Sequence, residues 1–471
     1  MDADSSHVWS RAAAVALDAQ DPLSNIRDQF LIPSQAQLKA GSLSEAESRD
    51  SSSPDASLSS SSSSSASASA VYLCGNSLGP QPRVVATRLQ QHLSTWSSQG
   101  VFGHFKPLSE SPLPTWVDAD VKAAESIAPI VGAQAPEVAI MQTLTANLHF
   151  LMSAFYKPDV NGRHKIILET KAFPSDHFVA EAQIRHHNLD PSTSMVTISP
   201  PSPSEPILTT EHILSVIDEH ASTTALLLLP GIQFYTGQLL NIPLITKHAR
   251  SNGIFVLWDL AHAVGNVPLQ LHDWNVDAAA WCSYKYLNGG PGTIGGLFVH
   301  ERHTQGASAP NRLAGWWGSS KSTRFTMDNE FVPIPGARGF QLSNPSILDI
   351  TALNASLEVF ALAGGMGPIR AKSLRLTSYL EQLLVASPAF TQGRFQIITP
   401  RDPEQRGAQL SLKLKGGLLD VVMAELVARG VVVDERQPDV IRVAPAPLFN
   451  SFEDCWKFAD AFANALNAAE K

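Results

Sequence analysis

Cysteine is scarce in this chain: Cys74, Cys282 and Cys455 are the three among 471 residues. Their wide spacing and odd number argue against a disulfide framework and against a zinc site. We therefore expect no structural metal and a reducing, cytoplasmic environment.

Positive charge is also in short supply, with 34 lysines and arginines against 43 acids and a formal net charge of -9. No basic stripe interrupts this balance, so we expect neither nucleic acid nor an anionic membrane surface as a partner. Apolar runs of about 20 residues, which a membrane span needs, are missing. The Ala-rich run after Ser10 is too short, and Asp2 and Asp4 stand where a signal peptide carries positive charge. The Ala-rich run instead predicts a surface helix capped near Ser10.

Serine, by contrast, is concentrated in one place. The stretch from about 39 to 70 is dominated by serine and alanine towards its end. Such a composition buries too little apolar surface to offset the entropy of ordering the chain. We predict an N-terminal segment over residues 1–70, with a helix and a disordered Ser-rich insertion.

Short apolar runs alternate with helical stretches after Val71. The predicted strands are Lys165–Glu169 (KIILE), 225–229, 254–260, 278–284 and 296–300, with helices near 177–187 and 242–252. Strands this apolar, separated by helices, are typical of a mainly parallel sheet covered on both faces. From about Ile347 a long helix precedes strands at 409–413 and Val440–Val443 and a helix after Phe452. The pattern predicts an α/β fold with a large domain over 71–345 and a smaller α/β domain over 346–471.

Two polar residues stand at the ends of neighbouring predicted strands. Asp259 ends one apolar run, and Lys285, 26 residues later, ends the next. The carboxyl ends of strands in α/β sheets open onto ligand crevices, where a carboxylate is costly unless it meets a cation. Pyridoxal phosphate (PLP) uses such a pair: a lysine to form a Schiff base and an acid to keep the pyridine nitrogen protonated. On spacing alone, a buried Asp–Lys ion pair is an equally good interpretation.

Other polar groups near this pair could contact a cofactor, but each also has a purely structural interpretation. His262 is positioned to contact a cofactor, but a lone histidine there is more often a core or loop residue. Two helix starts are candidates for cofactor contacts, because helix N-termini attract anions: the one at Leu144–Thr145 for the phosphate, and the one at Phe173–Asp176, where Phe173 is placed to stack on a flat ring. Capping by Thr145 is the simpler interpretation of the first. Asp176 is equally well interpreted as an acid at the start of a helix.

A glycine motif in the same region predicts nothing about nucleotides. Gly290, Gly292 and Gly295 match the spacing of a dinucleotide fingerprint, which requires a helix to follow. Here the glycines lead into the apolar run at 296–300, a predicted strand. We therefore reject NAD binding.

With these residues in place, the chain resembles the kynureninase family, in the class V branch of fold-type I PLP enzymes. The densest match is WDLAHAVGNVPLQLHDWNVDAAAWCSYKYLNGGPG at 258–292. Further blocks follow family order: GNSLGPQP (75–82), QTLTANLH (142–149), FPSDH (173–177), FYTGQ (234–238), RLAGWWG (312–318), RFTMDNEF (324–331), QLSNPSIL (341–348) and IRVAPAPLFNSF (441–452). The resemblance runs from about Tyr72 to the C-terminus.

The resemblance implies specific roles. Lys285, Tyr284 and Asp259 would be catalytic, with Lys285 bound to PLP. The implied cofactor-binding residues are Leu144, Thr145, Phe173, Pro174, Ser175, Asp176, Tyr235, Asp259, His262, Tyr284, Lys285, Trp316 and Asn344. The implied substrate-binding residues are Ser77, His104, Ser343, Asn344 and Arg442, with Arg442 on the substrate carboxylate. No metal is implied.

The implied activity is hydrolysis of L-kynurenine and 3-hydroxy-L-kynurenine in tryptophan degradation and NAD biosynthesis, by a homodimer. One departure is Pro230, where many relatives carry serine; it has neither hydroxyl nor N–H, so a phosphate contact there is in doubt. Two alternatives stay open: another class V enzyme, such as a cysteine desulfurase or an aminotransferase, and a non-catalytic scaffold. A desulfurase needs a mobile loop cysteine. The joint presence of Lys285, Asp259 and Arg442 speaks against a scaffold.

Overall fold

The computed structural model describes residues 9–42, 45, 68–202, 205–305 and 310–469. The chain divides into two compact units. The first comprises Met1–Gln81, Ala371–Ile398 and Ala408–Lys471, and the second comprises Pro82–Arg370 and Thr399–Gly407. The predicted domain boundaries at 70/71 and 345/346 stay a prediction. Most of the predicted Ser-rich insertion lies outside the described residues.

The second unit is built on a mainly parallel sheet with the strand order β4-β10-β9-β8-β7-β5-β6. Only β10, among its described strands, runs antiparallel to both of its neighbours. The strands are β4 (Val138–Ile140), β5 (Lys165–Glu169), β6 (Met195–Ile198), β7 (Thr224–Pro230), β8 (Phe255–Asp259), β9 (Ala278–Trp281) and β10 (Gly296–Val299). The helices of this unit are α3 (Arg83–Gln99), α4 (Ala119–Val131), α5 (Leu144–Phe155), α6 (Pro174–His186), α7 (Pro191–Ser194), α8 (Thr210–His220), α9 (Ile242–Ser251) and α10 (Ile347–Leu362).

Burial explains why these strands are apolar throughout. Leu226 and Leu228 of β7 and Leu257 of β8 pack in one core with Leu148 of α5 and Val179 of α6. Each fully buried aliphatic side chain contributes about 1.5–3 kcal/mol to folding. The α/β architecture with a mainly parallel sheet is therefore confirmed.

One predicted strand is too long. β9 ends at Trp281, three residues before the predicted end, and the chain then bends through Tyr284 and Lys285. The amide of Gly289 donates to the Ser283 carbonyl over 2.9 Å and closes this bend. The glycine motif leads into β10, as predicted.

The first unit holds a four-stranded antiparallel sheet, ordered β11-β12-β15-β14, and a parallel pair of β13 with β2. Its strands are β1 (Phe30–Leu31), β2 (Val71–Tyr72), β3 (Gln81–Pro82), which ends its first stretch, β11 (Phe395–Ile397), β12 (Leu410–Leu414), β13 (Val431–Val432), β14 (Asp434–Arg436) and β15 (Val440–Val443). Its helices are α1 (Arg11–Ala19), α2 (Gln35–Leu38), α11 (Met366–Val385), α12 (Pro388–Thr391), α13 (Leu419–Ala428) and α14 (Phe452–Ala468).

Two helix predictions have different outcomes. The cap at Ser10 is confirmed, since its hydroxyl accepts the Ala13 amide at 3.1 Å. The long helix predicted from about Ile347 is wrong in its continuity: α10 and α11 are separate. Gly364 and Gly365 lie between them with φ of 81° and 78°, a left-handed conformation that ends a helix.

Within the described parts of the chain, no single helix is both long and apolar enough to cross a membrane, while α10 and α11 meet that test only as a bent pair.

Candidate active site

Three buried acids meet at one edge of the large sheet. Asp259 is the last residue of β8, Glu169 is the last residue of β5, and Asp176 lies in the first turn of α6. Their exposed fractions are 6%, 3% and 1%. The Asp176 and Asp259 carboxyl groups hydrogen-bond to each other, and Asp259 Oδ1 accepts the Ala261 amide at 2.8 Å. Parallel strands bring these acids together because their carboxyl ends share one edge.

Burial and neighbouring charges shift the pKa values of these acids. Burial, then the charge of Asp259 and the hydrogen bond to it, hold the pKa of Asp176 well above its usual range. Burial also raises the pKa of Asp259, opposed by the charge of Lys285, the Ala261 amide and the hydrogen bond with Asp176. Burial raises the pKa of Glu169 to about 7, although Gln233 donates to its carboxylate. A buried carboxyl pair shares a proton unless a cation relieves it.

Lys285 is the cation that interacts with this pair. Its charge acts on both Asp259 and Asp176, and its Nζ lies 6.0 Å from the centre of the Tyr284 ring. Burial raises the pKa of Tyr284, with Cys282 and Asp259 adding to the shift. The Tyr284 phenol therefore stays protonated and available as a proton donor at neutral pH.

Gln233 and Glu169 are polar residues that the sequence reasoning missed. Gln233 Nε2 donates to Glu169 Oε1 at 3.1 Å, while its Oε1 accepts the amides of Tyr235 and Thr236, each at 2.7 Å. Gln233 thus fixes the loop that carries Tyr235 against the end of β5. Glu169 gave a usable signal, because it ends an apolar strand just as Asp259 does.

The helix start at Leu144 is open to a ligand. Its N-cap residue is Thr143, which makes no side-chain capping bond. The suggestion that Thr145 caps the helix is wrong, because Thr145 already lies within the first turn of α5. First-turn N–H groups without a side-chain cap suit an anion.

Aromatic and neighbouring groups complete this side of the unit. Phe173 is the N-cap residue of α6, with Pro174 and Ser175 following in the first turn. Its ring is 42% exposed and contacts Phe234 edge-on at 5.2 Å. The Tyr235 ring lies 5.8 Å from Lys171 Nζ.

Pro230 pairs with Asp259 in the sheet, at the end of β7. The following amide, that of Gly231, donates to the Asp259 carbonyl at 2.7 Å. His262 is buried three residues beyond Asp259, and its carbonyl accepts from Asn266 at 2.8 Å. The end of β7 is therefore bonded to the backbone of Asp259 through Gly231 rather than through Pro230.

The residues predicted for the ring end of a substrate are not all in one unit: Ser77 lies in the first unit, and His104, Ser343 and Asn344 lie elsewhere in the second. Ser343 and Asn344 are exposed in the segment before α10, and His104 is half-buried with its ring edge-on to Trp116 at 4.9 Å. Trp316 is 48% exposed, and its indole donates to the Arg324 carbonyl at 3.3 Å. The structure gives no contact among His104, Asn344 and Trp316.

In the first unit, Arg442 belongs to a compact ionic cluster. Its guanidinium is 1% exposed, pairs with Asp434 and donates to Ser77 Oγ at 3.0 Å. Asp434 also accepts from Ser77 Oγ and from Arg436. We refer to Ser77, Asp434, Arg436 and Arg442 as the arginine cluster. Asp434 and Arg436 were not predicted from the sequence.

Glu137, His272 and His300 place possible metal-ligating atoms within 4.8 Å of one another. Both Glu137 oxygens are already engaged: Oε1 accepts the Glu301 amide at 2.9 Å, and Oε2 accepts the Gln134 amide at 3.0 Å. His272 Nδ1 lies 3.0 Å from each oxygen. The group is a hydrogen-bonded ion pair whose contact with Glu137 raises the pKa of His272.

The chain is similar in sequence to known kynureninases. A sequence profile described as the kynureninase C-terminal domain matches residues 369–462. Kynureninase 1 of Chaetomium globosum is 67% identical over 425 residues, 85% of this chain and 84% of that protein. Kynureninase 2 of Neurospora crassa is 62% identical and covers 98% of both chains.

Solved structures agree on the fold. A mutant of C-DES with glycine covalently linked to its PLP cofactor aligns at a TM-score of 0.67 and 15% identity, covering 84% of this chain and 96% of that one. The cysteine desulfurase CsdA of Escherichia coli aligns at 0.67 and 17%, covering 85% and 94%. These likenesses confirm the predicted fold-type I class.

Proposed function

This chain belongs to the kynureninase family, and from that premise we propose that it hydrolyses L-kynurenine and 3-hydroxy-L-kynurenine with PLP as cofactor. Water is consumed, the Cβ–Cγ bond breaks, and the products are anthranilate or 3-hydroxyanthranilate and L-alanine. This activity belongs to tryptophan degradation and NAD biosynthesis. The observation that carries the proposal is the buried Asp176–Asp259 carboxyl pair beside Lys285.

The residues of the second unit fit PLP. A protonated pyridine nitrogen would give Asp259 a second cation beside Lys285, next to the hydrogen bond that it shares with Asp176. The uncapped first turn of α5, with Leu144 and Thr145, suits the phosphate. Phe173 has an exposed ring available for stacking. PLP supplies an electron sink that stabilises the negative charge left on the substrate's α-carbon when its proton departs.

The chain's own residues then divide the work. Asp259 keeps the pyridine nitrogen protonated, with Asp176 beside it. Lys285 would hold the cofactor, and its amine would also move the α-proton of the substrate. Tyr284 returns a proton to the alanine fragment, which its raised pKa permits. Arg442 binds the substrate carboxylate, a task suited to a planar guanidinium.

The remaining implied residues complete the proposal. Pro174, Ser175, Tyr235, His262, Trp316 and Asn344 would contact the cofactor, and Ser77, His104 and Ser343 the substrate. A desulfurase activity is disfavoured, because Cys282 and Cys455 are buried at 4% and 0% exposure and neither can act as a mobile loop nucleophile.

The test is to give the purified, PLP-loaded protein kynurenine and follow anthranilate by its fluorescence. We expect turnover of kynurenine and none of cysteine. Release of sulfide from cysteine without anthranilate from kynurenine would refute the assignment.

We further propose a cytoplasmic homodimer. An exposed apolar cluster of the second unit supports this: Phe325 contacts Phe105 at 5.3 Å and Trp316 at 5.7 Å, and each of these three rings is about half exposed. Trp316 is thus the residue expected to reach a partner. Its neighbour Trp317 is 1% exposed beneath Arg324.

Sedimentation of the wild type and of Phe325→Glu measures the assembly. We expect a dimer that the charged variant weakens, since a glutamate is costly in an apolar interface. Full activity from a monomer at high dilution would contradict the dimer.

A further inference from the structure

The arginine cluster carries more positive than negative charge. Arg442 and Arg436 each bear a guanidinium, and Asp434 is the carboxylate that pairs with both. These three groups sum to one surplus positive charge. Burial lowers the pKa of Arg442 and Asp434 opposes that shift, so the pair keeps the guanidinium charged.

Strand register places the cluster. In the small sheet, Ser411 of β12, Arg442 of β15 and Asp434 of β14 are direct partners in one row across three strands. Opposite charges on facing positions of an antiparallel pair attract, and here both side chains are nearly buried. Asp434 therefore meets Arg442 by backbone placement rather than by a flexible reach.

Contacts on the Asp434 carboxylate fix the direction of the guanidinium. Ser77 Oγ donates to Asp434 Oδ2 and itself accepts from Arg442 Nη2 at 3.0 Å, which closes a three-membered ring of contacts. Arg436 Nη2 donates to the same Asp434 oxygen at 3.2 Å. A side chain as long as arginine loses rotamer freedom when it is held this way, so less entropy remains to be lost on binding a ligand.

We propose that Asp434 is a positioning residue for the substrate's α-carboxylate: it orients Arg442, while Arg436 maintains the positive charge that the carboxylate neutralises. This inference rests on the proposed function. It assigns Asp434 no contact with the reacting atoms. Its effect is on binding, which is the same before and during the reaction, so it changes KM more than kcat.

Loss of the Asp434 charge has two opposing effects on binding of the substrate carboxylate. The surplus positive charge grows, which strengthens attraction, but Arg442 loses its fixed orientation, which weakens binding by more. Arg436 is 33% exposed, so the positive charge released there is screened by water and salt. Arg442 is buried and loses its ion-pair partner, which removes the contact that sets its rotamer.

The test measures binding and turnover in Asp434→Asn, with Glu435→Gln as the matched control. Glu435 is the next residue on β14, is exposed, and undergoes the same loss of one charge. We expect KM for kynurenine to rise about tenfold with kcat within twofold, and the control to match the wild type. Calorimetry in a Lys285→Ala background, where no turnover occurs, should show the same loss of kynurenine affinity.

Kynuramine, which lacks the α-carboxylate, separates orientation from general damage. Its affinity should change less than twofold in Asp434→Asn. Arg436→Gln, at a more exposed position, gives a second variant should Asp434→Asn fail to fold, and it should weaken kynurenine binding several-fold. Unchanged kynurenine affinity in the folded variants, tighter binding in Asp434→Asn, or equal losses for kynuramine would each overturn the inference. A wild type that yields no anthranilate would instead refute the proposed function.

Discussion

The acid centre of the second unit and the arginine cluster of the first are opposite solutions to one problem, a buried carboxylate. Beside Asp259 stand two further acids, Asp176 and Glu169, with Lys285 as the cation. Beside Asp434 stand two arginines. Burial makes either imbalance costly. From this difference we infer the charge of the ligand group that each region suits: a cationic group at the acids, and an anionic group at the arginines.

The largest effect should follow from removing the cation of the acid centre. Lys285→Ala is expected to lower turnover at least about a thousandfold, because both cofactor attachment and α-proton transfer are lost. The yellow absorbance of attached PLP should disappear. Lys321→Ala, a surface lysine paired with Asp118, is the control. A borohydride-reducible link to PLP in the Lys285 variant would mean that another lysine is used.

Asp259→Asn should have the next largest effect. Loss of pyridine protonation by two pKa units corresponds to about a hundredfold in rate, since one unit is about 1.4 kcal/mol. The pKa of Asp176 should fall at the same time, because Asp259 raises it through charge and a hydrogen bond. Turnover and the PLP spectrum measure the change, with exposed Asp273→Asn as control. Wild-type activity in Asp259→Asn would remove the acid centre from the mechanism.

Glu169 sharpens the comparison through stability. Its pKa is raised from 4.5 to about 7 by burial, so the folded state binds more protons than the unfolded state between these values. The contribution of Glu169 to the free energy of unfolding should therefore be largest below pH 4.5 and fall by up to about 3 kcal/mol as pH rises to 7. Glu169→Gln should remove this part of the slope in denaturant titrations, whereas exposed Glu125→Gln should keep it. An unaltered slope would show that Glu169 titrates normally.

The smallest effect is expected from His104 and Asn344, the residues predicted to contact the substrate's ring. His104 and Asn344 predict a preference for 3-hydroxykynurenine, since a polar group left unpaired by plain kynurenine costs about 1–3 kcal/mol. Their partial exposure favours the lower end, about fivefold in kcat/KM. His104→Trp and Asn344→Thr should each reduce the ratio of kcat/KM for 3-hydroxykynurenine to kcat/KM for kynurenine. Within each variant, the value for kynurenine is the internal reference. A ratio that neither substitution changes would place discrimination elsewhere.

Features that depend on a local pattern of apolar residues, such as strand bounds, could be predicted from the sequence. The bounds of β5 and β15 match their predicted runs, and β8 differs by one residue at either end, because each is a short, mainly apolar stretch. Asp259 was recognisable because it ends such a strand, and Lys285 because it follows one. β9 and the helix after Ile347 were predicted too long, since a backbone bend at Ser283 and two left-handed glycines leave little trace in apolar periodicity.

Pairings between distant residues were beyond the sequence pattern. Asp176 meets Asp259 only because α6 starts where β5 ends, and Gln233 meets Glu169 across two parallel strands. Asp434 looked like any polar residue on a short strand. Its importance follows from facing Arg442, which is a property of the register of β14 against β15.

That register has a consequence for insertions and deletions. Only residues 437–439 connect β14 to β15, and side chains alternate faces along a strand. Adding or removing one residue there shifts the pairing by one position, which turns Asp434 to the opposite face and leaves Arg442 opposite a different neighbour. Variation in the amino acids of this connection is compatible with the arginine cluster, whereas variation in its length is not. The length of this connection is therefore required for the proposed carboxylate site, although none of its side chains contributes to that site.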